Sequence, residues 1–496
     1  MTVQRLTIDP KPRFELSPYL YMQFMEPLGV HDASVEAGWD FLKMQWKDHF
    51  LQATRELAPT LIRWGGIFSD YYRWKEGVGP RTRRRPMFNL CWGGAYSNQV
   101  GTVEFVDFCR SVGAEPLVGV NFESDGRKHY RRDPFGRLRT AGPAEAAAWV
   151  DYCNNPRSRL RIAHGRRESL NVRMWQIGNE TSYSKAGYDC ETTARRTLAF
   201  ARAMKRADPT ITLIGWGDNP PKGQPSTGEC WARRVMEIAG EHLEYLAFHP
   251  HFDSGLPDSP LKGTLYRNNP ALTWQHLMNA WKLTDTKLQE KRQELAGLDV
   301  KLAITESHFY LYPHNQVDVL RSWAAGVAYA RVLNTQARHG DLLKIATAAD
   351  FAGNRWTVNA VMIAGQLSYL MPVARVMSLY RHHVGRQAVG VAGPPDLDVT
   401  ASRTGRKLYL HVANVNRTQP VRCRLVVEGM TLSGGTAWEV AVEPTREIDD
   451  TCPDILNPVA KPVPAGGAWT FPAASVTAME LACGGMTKSE ARMTNE

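Results

Sequence analysis

Two glutamates of this sequence stand directly after short apolar segments, where a packed core has no use for a charge. Glu180 follows Asn179 at the end of an apolar run that begins at Val172. Glu306 follows a second apolar run, which begins at Lys301. A charge at the end of a buried strand must be solvated, paired or used in chemistry. Two opposed carboxylates can hydrolyse a glycosidic bond, one as proton donor and the other as nucleophile.

The elements that must position these glutamates alternate along the chain from Tyr19 onward. Short apolar runs alternate with longer amphipathic ones, which implies parallel strands because each crossover needs a helix-length connection. Eight such units in about 335 residues predict an α/β fold, a (β/α)8 TIM barrel. A doubly wound open sheet is the alternative, but residues 24–29 are not the glycine-rich phosphate loop that it usually carries. The predicted strands are residues 20–26, 60–65, 115–121, 172–179, 212–217, 244–249, 301–306 and 342–350. The predicted helices include residues 39–57, 101–112, 143–153, 192–207, 231–240, 273–296 and 317–339.

The chain of 496 residues exceeds the size at which one core usually stops growing, so a second domain is expected. Residues 390–483 hold short alternating runs separated by Gly and Pro clusters, a pattern typical of a β-sandwich. The predicted domains are residues 1–18, an N-terminal strand that completes the sandwich, residues 19–370, the catalytic barrel, and residues 371–496, the C-terminal β-sandwich and polar tail. The tail from Gly484 is expected to fray.

Composition and charge narrow the function classes. Hydrophobic residues make up 43% and charged residues 22%, which are ordinary values for a globular protein. The net charge is +10, and the densest basic run is residues 81–85, beside a glycine- and proline-containing loop. A nucleic-acid patch is one interpretation, but no nucleic-acid module surrounds the run. A solvated loop, or a rim that attracts an acidic polysaccharide, is favoured, and no nucleic-acid partner is expected.

The cysteines and the N-terminus indicate a cytoplasmic protein. None of the eight cysteines forms a Cys-x-x-Cys pair, so neither a zinc motif nor a redox motif is predicted, and free thiols are expected. Residues 1–18 contain no apolar core of signal-peptide length. No stretch approaches the roughly 20 apolar residues of a membrane helix, so no membrane partner is expected.

Polar residues end most of the predicted barrel strands. In this fold the carboxyl ends of the strands meet at one rim and build the active site, so these residues are expected to converge. Helix capping or structural pairing is the alternative for each one taken singly, and it is favoured for Asn121 and Asp218. The strand-end residues are Glu26, Arg63, Asn121, Asn179, Glu180, Asp218, His249, His251, Glu306 and Asp350.

The pair Glu180 and Glu306 predicts a retaining mechanism, which requires carboxyl groups about 5–5.5 Å apart. The acid must keep its proton near neutral pH, and repulsion from the second carboxylate is expected to favour this. Asn179 is placed to hold a sugar hydroxyl as charge develops on the ring.

Other chemistries find less support. A metal site formed by His249, Glu306 and Asp350 is conceivable. His249 and His251 would point to opposite faces of a regular strand, which argues against joint ligation, although Pro250 between them can end the strand. No Gly-x-Ser-x-Gly elbow is present for Ser-His-Asp catalysis. We therefore expect neither a metal nor a cofactor.

Several segments carry a family resemblance. The segment Trp-Gln-Ile-Gly-Asn-Glu, residues 175–180, resembles the acid/base strand of clan A glycoside hydrolases. Further segments resemble the family-51 α-L-arabinofuranosidases, and the resemblance extends to about His383. These segments are residues 22–29, 62–66, 74–80, 98–105, 113–116, 152–155, 163–165 and 171–173.

The resemblance implies roles for individual residues. It implies that Glu180 is the acid/base and Glu306 the nucleophile of a double displacement. It also implies a homo-oligomer. The residues that it implies around the terminal sugar are Glu26, Arg63, Asn179 and His249, with Trp92 near the rim.

The departures from the family pattern lie around the sugar. His251 stands where the family usually has tyrosine, and Ser307 and His308 stand where it has a tryptophan. Asp350 is the nearest match to a glutamine, and Ile67 replaces a small or polar residue. The predicted function is therefore an exo-acting α-L-arabinofuranosidase or related furanosidase. The alternatives are a clan A enzyme cleaving xylosides, glucosides or uronides, and a non-catalytic sugar-binding protein.

Overall fold

The computed structural model describes residues 3–221, 230–251, 259–311 and 315–485. The predicted polar tail, from residue 486 onward, lies outside the described residues. The strands, in chain order, are β1 Gln4–Glu15, β2 Met22–Met25, β3 Trp39–Asp40, β4 Gln45–Trp46, β5 Leu61–Trp64, β6 Met87–Phe88, β7 Ala95–Tyr96, β8 Glu115–Val120, β9 Met174–Ile177, β10 Thr212–Trp216, β11 Tyr245–Phe248, β12 Lys301–Ile304, β13 Leu343–Ala346, β14 Asp350–Gly353, β15 Asn359–Ala364, β16 Leu367–Leu370, β17 Gln387–Ala392, β18 Leu397–Thr404, β19 Lys407–Asn414, β20 Val421–Val427, β21 Met430–Val440, β22 Val459–Val463, β23 Ala468–Phe471 and β24 Val476–Gly485.

Eleven α-helices accompany these strands in the described part of the chain. They are α1 Ser34–Ala37, α2 Asp48–Leu57, α3 Thr102–Ser111, α4 Pro143–Asn154, α5 Arg159–Ala163, α6 Cys190–Ala207, α7 Trp231–Ala239, α8 Pro270–Leu277, α9 Trp281–Glu294, α10 Trp323–Arg338 and α11 Pro372–His382.

The first large sheet is the predicted barrel. Its strands β2, β5, β8, β9, β10, β11, β12 and β13 follow one another in chain order, and each adjacent pair is parallel. Residues 347–349 interrupt the eighth strand: β13 pairs with β12, and β14 pairs with β2 through Asp350 and Phe24. The sheet therefore closes on itself except at this break, and the predicted (β/α)8 architecture is confirmed.

Two predicted helices are wrong in their bounds. Residues 39–46 form the hairpin β3–β4, in which Trp39 and Trp46 pair edge to face with ring centroids 5.3 Å apart, and the helix begins only at Asp48. Residues 273–296 fall into two helices, because the chain turns after Leu277 and buries Ala280 before α9 begins. In both places a packed side chain, rather than local periodicity, decides the backbone.

The second large sheet contains nine strands, in the order β22-β21-β24-β19-β18-β17-β1-β20-β23. The N-terminal strand β1 pairs antiparallel with β17 and parallel with β20, so it lies within this sheet as predicted. Val463 and Phe471, on the two end strands, pack in the same hydrophobic cluster. The sheet thus folds over one core, which is the predicted sandwich.

The two units meet through the last barrel helices. The Trp323 indole Nε1 donates to the Ala474 carbonyl at 2.6 Å, and the Tyr380 ring stacks on His411 with centroids 3.8 Å apart. Helix α11 packs against the barrel helices α2 and α10 and also against β24. The boundaries at residues 18 and 370 remain predictions.

The basic run at residues 81–85 is partly built into the fold. The Arg84 side chain is 4% exposed, and its guanidinium lies 2.9 Å from the Glu104 carboxylate. Glu104 also accepts from the backbone of Gly101 and so caps the start of α3. The prediction of a solvated loop is therefore wrong for Arg84, whereas Arg83 and Arg85 are exposed.

All eight cysteines are unpaired, in agreement with the free thiols that the sequence predicts. Among the described residues, no helix combines the length and apolar character that crossing a membrane requires.

Candidate active site

The structure brings most of the predicted site residues together at the carboxyl ends of the barrel strands. Glu26, Asn179 and Glu180, His249 and His251, and Glu306 follow directly after strands β2, β9, β11 and β12, Arg63 lies within β5, and Asp350 begins β14. Trp92 comes from the long segment between β5 and α3.

A tight turn presents Glu180. All four residues of β9 are buried, and Gly178 then turns the chain with a φ of 82°. Glu180 itself has a φ of 51°, a left-handed conformation that costs a non-glycine residue free energy and often marks a functional site. The Arg127 guanidinium donates to the Glu180 carbonyl oxygen at 3.4 Å. This buried arginine supports the strained backbone.

The two predicted catalytic carboxylates face each other. One oxygen of Glu180 and one oxygen of Glu306 lie within 4.8 Å. Retaining glycosidases hold their carboxyl groups about 5–5.5 Å apart, whereas inverting enzymes need about 6.5–9.5 Å to admit a water molecule. The spacing is therefore that of a retaining pair.

Arg63 fixes the nucleophile candidate. Its guanidinium, which is fully buried, donates from Nη1 to Glu306 Oε1 and from Nη2 to Asn179 Oδ1, both at 2.7 Å. A charge-assisted bond of this kind is short and strong, and it fixes the orientation of the Glu306 carboxylate. The Asn179 Nδ2 is buried and has no hydrogen-bond partner among the described residues, so it can donate to a ligand hydroxyl.

Glu26 is a third carboxyl at the site. Its Oε1 accepts from the Phe68 backbone N–H at 2.7 Å and from the Trp92 indole at 3.3 Å. Burial raises the pKa of Glu26 well above its usual range, and the nearby Glu306 carboxylate raises it further. Glu26 is thus suited to exchange hydrogen bonds with hydroxyls as a neutral group.

Gly66 makes room for Glu26. A Cβ at this glycine would lie 2.5 Å from the Glu26 carboxyl carbon, and its φ of 77° also favours glycine. Sequence reasoning missed the Phe68 backbone donor, and the double glycine at residues 65–66 was the signal that could have suggested a close approach.

Both strand-6 histidines contact Glu180. His249 Nδ1 lies 2.9 Å and His251 Nε2 lies 3.2 Å from the same oxygen, Oε1. The two rings do not diverge, because β11 ends at Phe248 and Pro250 lies past the regular strand, which is the alternative that the sequence left open. The His249 Nε2 is fixed by Thr305 Oγ1 at 2.8 Å, a partner that sequence reasoning missed.

These histidines reverse the proton assignment that the sequence suggests. Burial raises the pKa of the Glu180 carboxyl, but hydrogen bonds from His249 and His251 outweigh burial and hold it well below its usual range. Burial lowers the pKa of His249. Burial also acts to lower the pKa of His251, but Glu180 outweighs it and leaves that pKa above the usual 6.5. Both shifts favour the proton on His251 over Glu180 in the free site, which is contrary to the expectation that repulsion keeps it on Glu180.

Asp350 does not contact the catalytic pair directly. Its Oδ1 lies 3.0 Å from His308 Nδ1, and the His308 ring lies 4.5 Å from the His251 ring, measured between centroids. Ser307 Oγ donates to the Pro250 carbonyl at 2.9 Å and so holds the segment that carries His251. Four of the residues that depart from the family pattern, His251, Ser307, His308 and Asp350, thus form one connected group.

Trp92 lies near the rim, whereas Asn121 and Asp218 have the structural roles that the sequence favours for them. Trp92 is half-buried and lies edge-on to Trp356, with ring centroids 5.5 Å apart, so an aromatic edge lines the approach. Asn121 Nδ2 donates to the Tyr72 and Arg139 carbonyls, which is a structural role. Asp218 lies 2.5 Å from one lysine and 3.3 Å from another, Lys287 and Lys291, and is likewise structural.

The residues that could hold a metal ion differ from the set that the sequence suggested. Glu180, His249, His251 and Glu306 each offer one donor atom, and all four atoms lie within 4.8 Å of one another. Asp350, which the sequence suggested as a ligand, is replaced by Glu180 and His251.

Comparisons with known proteins agree on one relationship. The model of the Alpha-L-arabinofuranosidase 1 domain family matches residues 53–245. The intracellular exo-α-(1→5)-L-arabinofuranosidase of Acetivibrio thermocellus is 30% identical over 263 residues, which cover 51% of this chain and 49% of that protein. The α-L-arabinofuranosidase C of Emericella nidulans is 33% identical over 227 residues, which cover 44% of this chain and 42% of that protein. The chain spans about half the length of the curated relatives it matches.

The likeness to solved structures extends over nearly the whole chain. The α-L-arabinofuranosidase of Thermotoga maritima, solved with arabinose, matches with a TM-score of 0.78 at 22% identity, covering 96% of this chain and 99% of that one. The fold is therefore that of a (β/α)8 barrel with an attached β-sandwich. The chain is related to the α-L-arabinofuranosidases of glycoside hydrolase family 51, as its motifs predict.

Proposed function

We propose that the protein is a retaining glycoside hydrolase that removes terminal α-L-arabinofuranosyl groups from oligosaccharides or polysaccharides. The observation that carries this proposal is the opposed pair Glu180 and Glu306, with carboxylate oxygens within 4.8 Å at the carboxyl end of the barrel.

In the proposed first step, Glu306 attacks the anomeric carbon and forms a glycosyl-enzyme ester, while a proton passes through Glu180 to the leaving oxygen. Water, deprotonated by Glu180, then hydrolyses the ester and releases the sugar with its original configuration. Arg63 orients Glu306 through its hydrogen bond, and Asn179 donates to a hydroxyl of the bound sugar. Because His251 holds the proton in the free site, we infer that substrate binding moves it to Glu180.

We also propose a second candidate for the substrate specificity. His251, His308 and Asp350 line the site where the family pattern has other residues, and they add polar and titratable groups beside the sugar. This favours, as the second candidate, a related glycosidase that cleaves xylosides, glucosides or uronides.

The partners and the cellular location are proposed from the family resemblance and from the names of the relatives. The substrate is a glycoside, and a homo-oligomer is the assembly that the family resemblance implies. Several relatives are named intracellular enzymes, which supports a cytoplasmic location.

The first test follows the anomeric product by proton NMR. With 4-nitrophenyl α-L-arabinofuranoside, the sugar released first is expected to be the α-anomer, which then mutarotates. A β-anomer as first product would contradict the retaining mechanism.

A panel of nitrophenyl xylosides, glucosides and glucuronides decides between the two specificities. Binding of arabinose without hydrolysis of any substrate would favour the non-catalytic alternative.

The second test concerns the proton on the Glu180–His251 pair. In His251→Gln, the basic limb of the pH dependence of kcat/KM is expected to move to lower pH by about two units or more. The wild-type pair loses its last proton at the raised pKa of His251, above 6.5, whereas in the variant the proton must reside on Glu180, whose pKa His249 still lowers. The control is His49→Gln, whose ring contacts Ser368 away from the site. An unmoved basic limb in His251→Gln would refute the shared proton.

A further inference from the structure

Two histidines and two carboxylates at the carboxyl end of the barrel converge on one point. The Glu180 Oε1 atom lies 2.9 Å from His249 Nδ1 and 3.2 Å from His251 Nε2, and His249 Nδ1 lies 3.7 Å from Glu306 Oε2. A tetrahedral ion with bonds of 2.0–2.1 Å holds its ligand atoms about 3.3–3.4 Å apart. The three separations given lie within about 0.5 Å of that value. All four donor atoms lie within 4.8 Å of one another, so binding of an ion requires the more distant pairs to move closer.

The neighbours of this cluster hold its members in place for such a role. The His249 Nε2 lies 2.8 Å from Thr305 Oγ1, and a hydroxyl can accept as well as donate. Nε2 can therefore carry the ring proton, which frees Nδ1 for an ion. Arg63 occupies Oε1 of Glu306 and leaves Oε2 directed toward His249.

We propose that Glu180, His249, His251 and Glu306 form a binding site for a transition-metal ion of the Zn²⁺ class, and that the bound ion blocks the sugar site. Two carboxylates offset the charge of the ion in part, because Glu306 also pairs with Arg63, and two imidazoles favour Zn²⁺ or Co²⁺ over Mg²⁺ or Ca²⁺. The ion occupies both carboxylates of the proposed catalytic pair, so it inhibits hydrolysis and competes with substrate. The inhibition rests on the proposed function, whereas the binding does not.

His251 decides whether the site has four protein ligands or three. His251 is neither the proposed nucleophile nor the proposed acid/base, and its part in the proposed reaction is to share a proton with Glu180. Replacing it with phenylalanine keeps a ring of similar breadth and removes the donor nitrogen. The matched control is His382→Gln, which changes an exposed histidine at the end of α11.

The experiment titrates the chelator-treated full-length protein with Co²⁺ and records the visible absorption of tetrahedral cobalt, with Zn²⁺ binding measured by equilibrium dialysis. Wild type and His382→Gln are expected to bind one ion per chain at the site. His251→Phe is expected to bind it at least about 100-fold more weakly, with unchanged circular dichroism. Equal affinities in wild type and His251→Phe, or no stoichiometric binding in wild type, would overturn the proposal.

A kinetic arm separates this inference from the proposed function. Zn²⁺ is expected to inhibit wild-type hydrolysis competitively, and EDTA is expected to reverse the inhibition. Stoichiometric cobalt binding in a protein that hydrolyses no glycoside would support the metal site and refute the proposed function. Hydrolysis without any cobalt binding would support the proposed function and refute the metal site. Stimulation of hydrolysis by Zn²⁺ would overturn the blocking role.

Discussion

Replacing Glu306 with glutamine is expected to lower kcat/KM for 4-nitrophenyl α-L-arabinofuranoside by about 10⁴-fold or more, a loss of about 5.5 kcal/mol of transition-state stabilisation. Glutamine has the size of glutamate and can still accept from Arg63, but its amide does not attack the anomeric carbon. Because the glycosyl-enzyme ester cannot form, even a substrate with a good leaving group gains nothing. Initial rates over a range of substrate concentrations measure the effect.

The matched control is Glu290→Gln, which makes the same substitution at an exposed position of α9. It is expected to retain wild-type kcat/KM. Thermal unfolding followed by circular dichroism shows whether Glu306→Gln remains folded, since the change leaves the buried Arg63 beside a neutral partner. Near-wild-type activity in folded Glu306→Gln would exclude this residue as the nucleophile.

The barrel was predictable because its strands leave a direct trace in the sequence. Every residue of β5 and of β9 is buried, and apart from Arg63 and Gln176 these residues are apolar, so both strands appear in the sequence as short hydrophobic runs. The hairpin at residues 39–46 left no such trace. Its backbone depends on Trp46, whose ring lies 4.5 Å from the Phe108 ring between centroids, a contact with a residue far along the chain.

The catalytic pair was predictable for a related reason. The end of a parallel strand has a fixed place at the rim, so Glu180 and Glu306, which lie within three residues of the ends of β9 and β12, could be located from the apolar runs alone. His251 lies beyond its strand, and the orientation of its ring depends on Pro250 and on the Ser307 hydroxyl that holds it. Such loop geometry is set by tertiary contacts and has no sequence period.

The pKa of Glu180 could not be predicted from the sequence, for a different reason. The sequence identifies only one charged neighbour of Glu180, the carboxylate of Glu306, and that neighbour alone predicts a raised pKa for Glu180. The structure adds the imidazoles of His249 and His251 at hydrogen-bond distance, and their effect on the pKa is larger and opposite. A pKa depends on every charge within a few ångströms, which a list of strand ends does not supply.

Replacing Glu180 with alanine is expected to separate substrates by their leaving groups. For arabinofuranosides with a sugar or alkyl leaving group, which must be protonated as the bond breaks, kcat/KM is expected to fall by about 10³-fold. For a 2,4-dinitrophenyl leaving group, which departs as a stable anion, the fall is expected to be about tenfold or less. A plot of log kcat/KM against leaving-group pKa measures the difference as a steeper slope in the variant.

The same plot distinguishes Glu180 from its hydrogen-bond partner as the proton donor. If His251 passed its proton directly to the leaving oxygen, His251→Gln would acquire the steep slope and Glu180→Ala would not. If Glu180 delivers the proton, His251→Gln keeps a slope close to wild type, because the carboxyl that contacts the leaving group is still present. Equal losses on all substrates in Glu180→Ala would exclude it as the acid.

The second half of the reaction gives an independent outcome for Glu180→Ala. Glu306 can still form the glycosyl-enzyme ester with an activated substrate, but no base remains to deprotonate the attacking water. A small anionic nucleophile such as azide needs no base and fits the space that the carboxylate leaves. Azide is therefore expected to raise kcat and to yield the arabinofuranosyl azide with the configuration of the substrate. An azide product of inverted configuration would mean that the ester had not formed and that the two glutamates exchange the roles assigned to them.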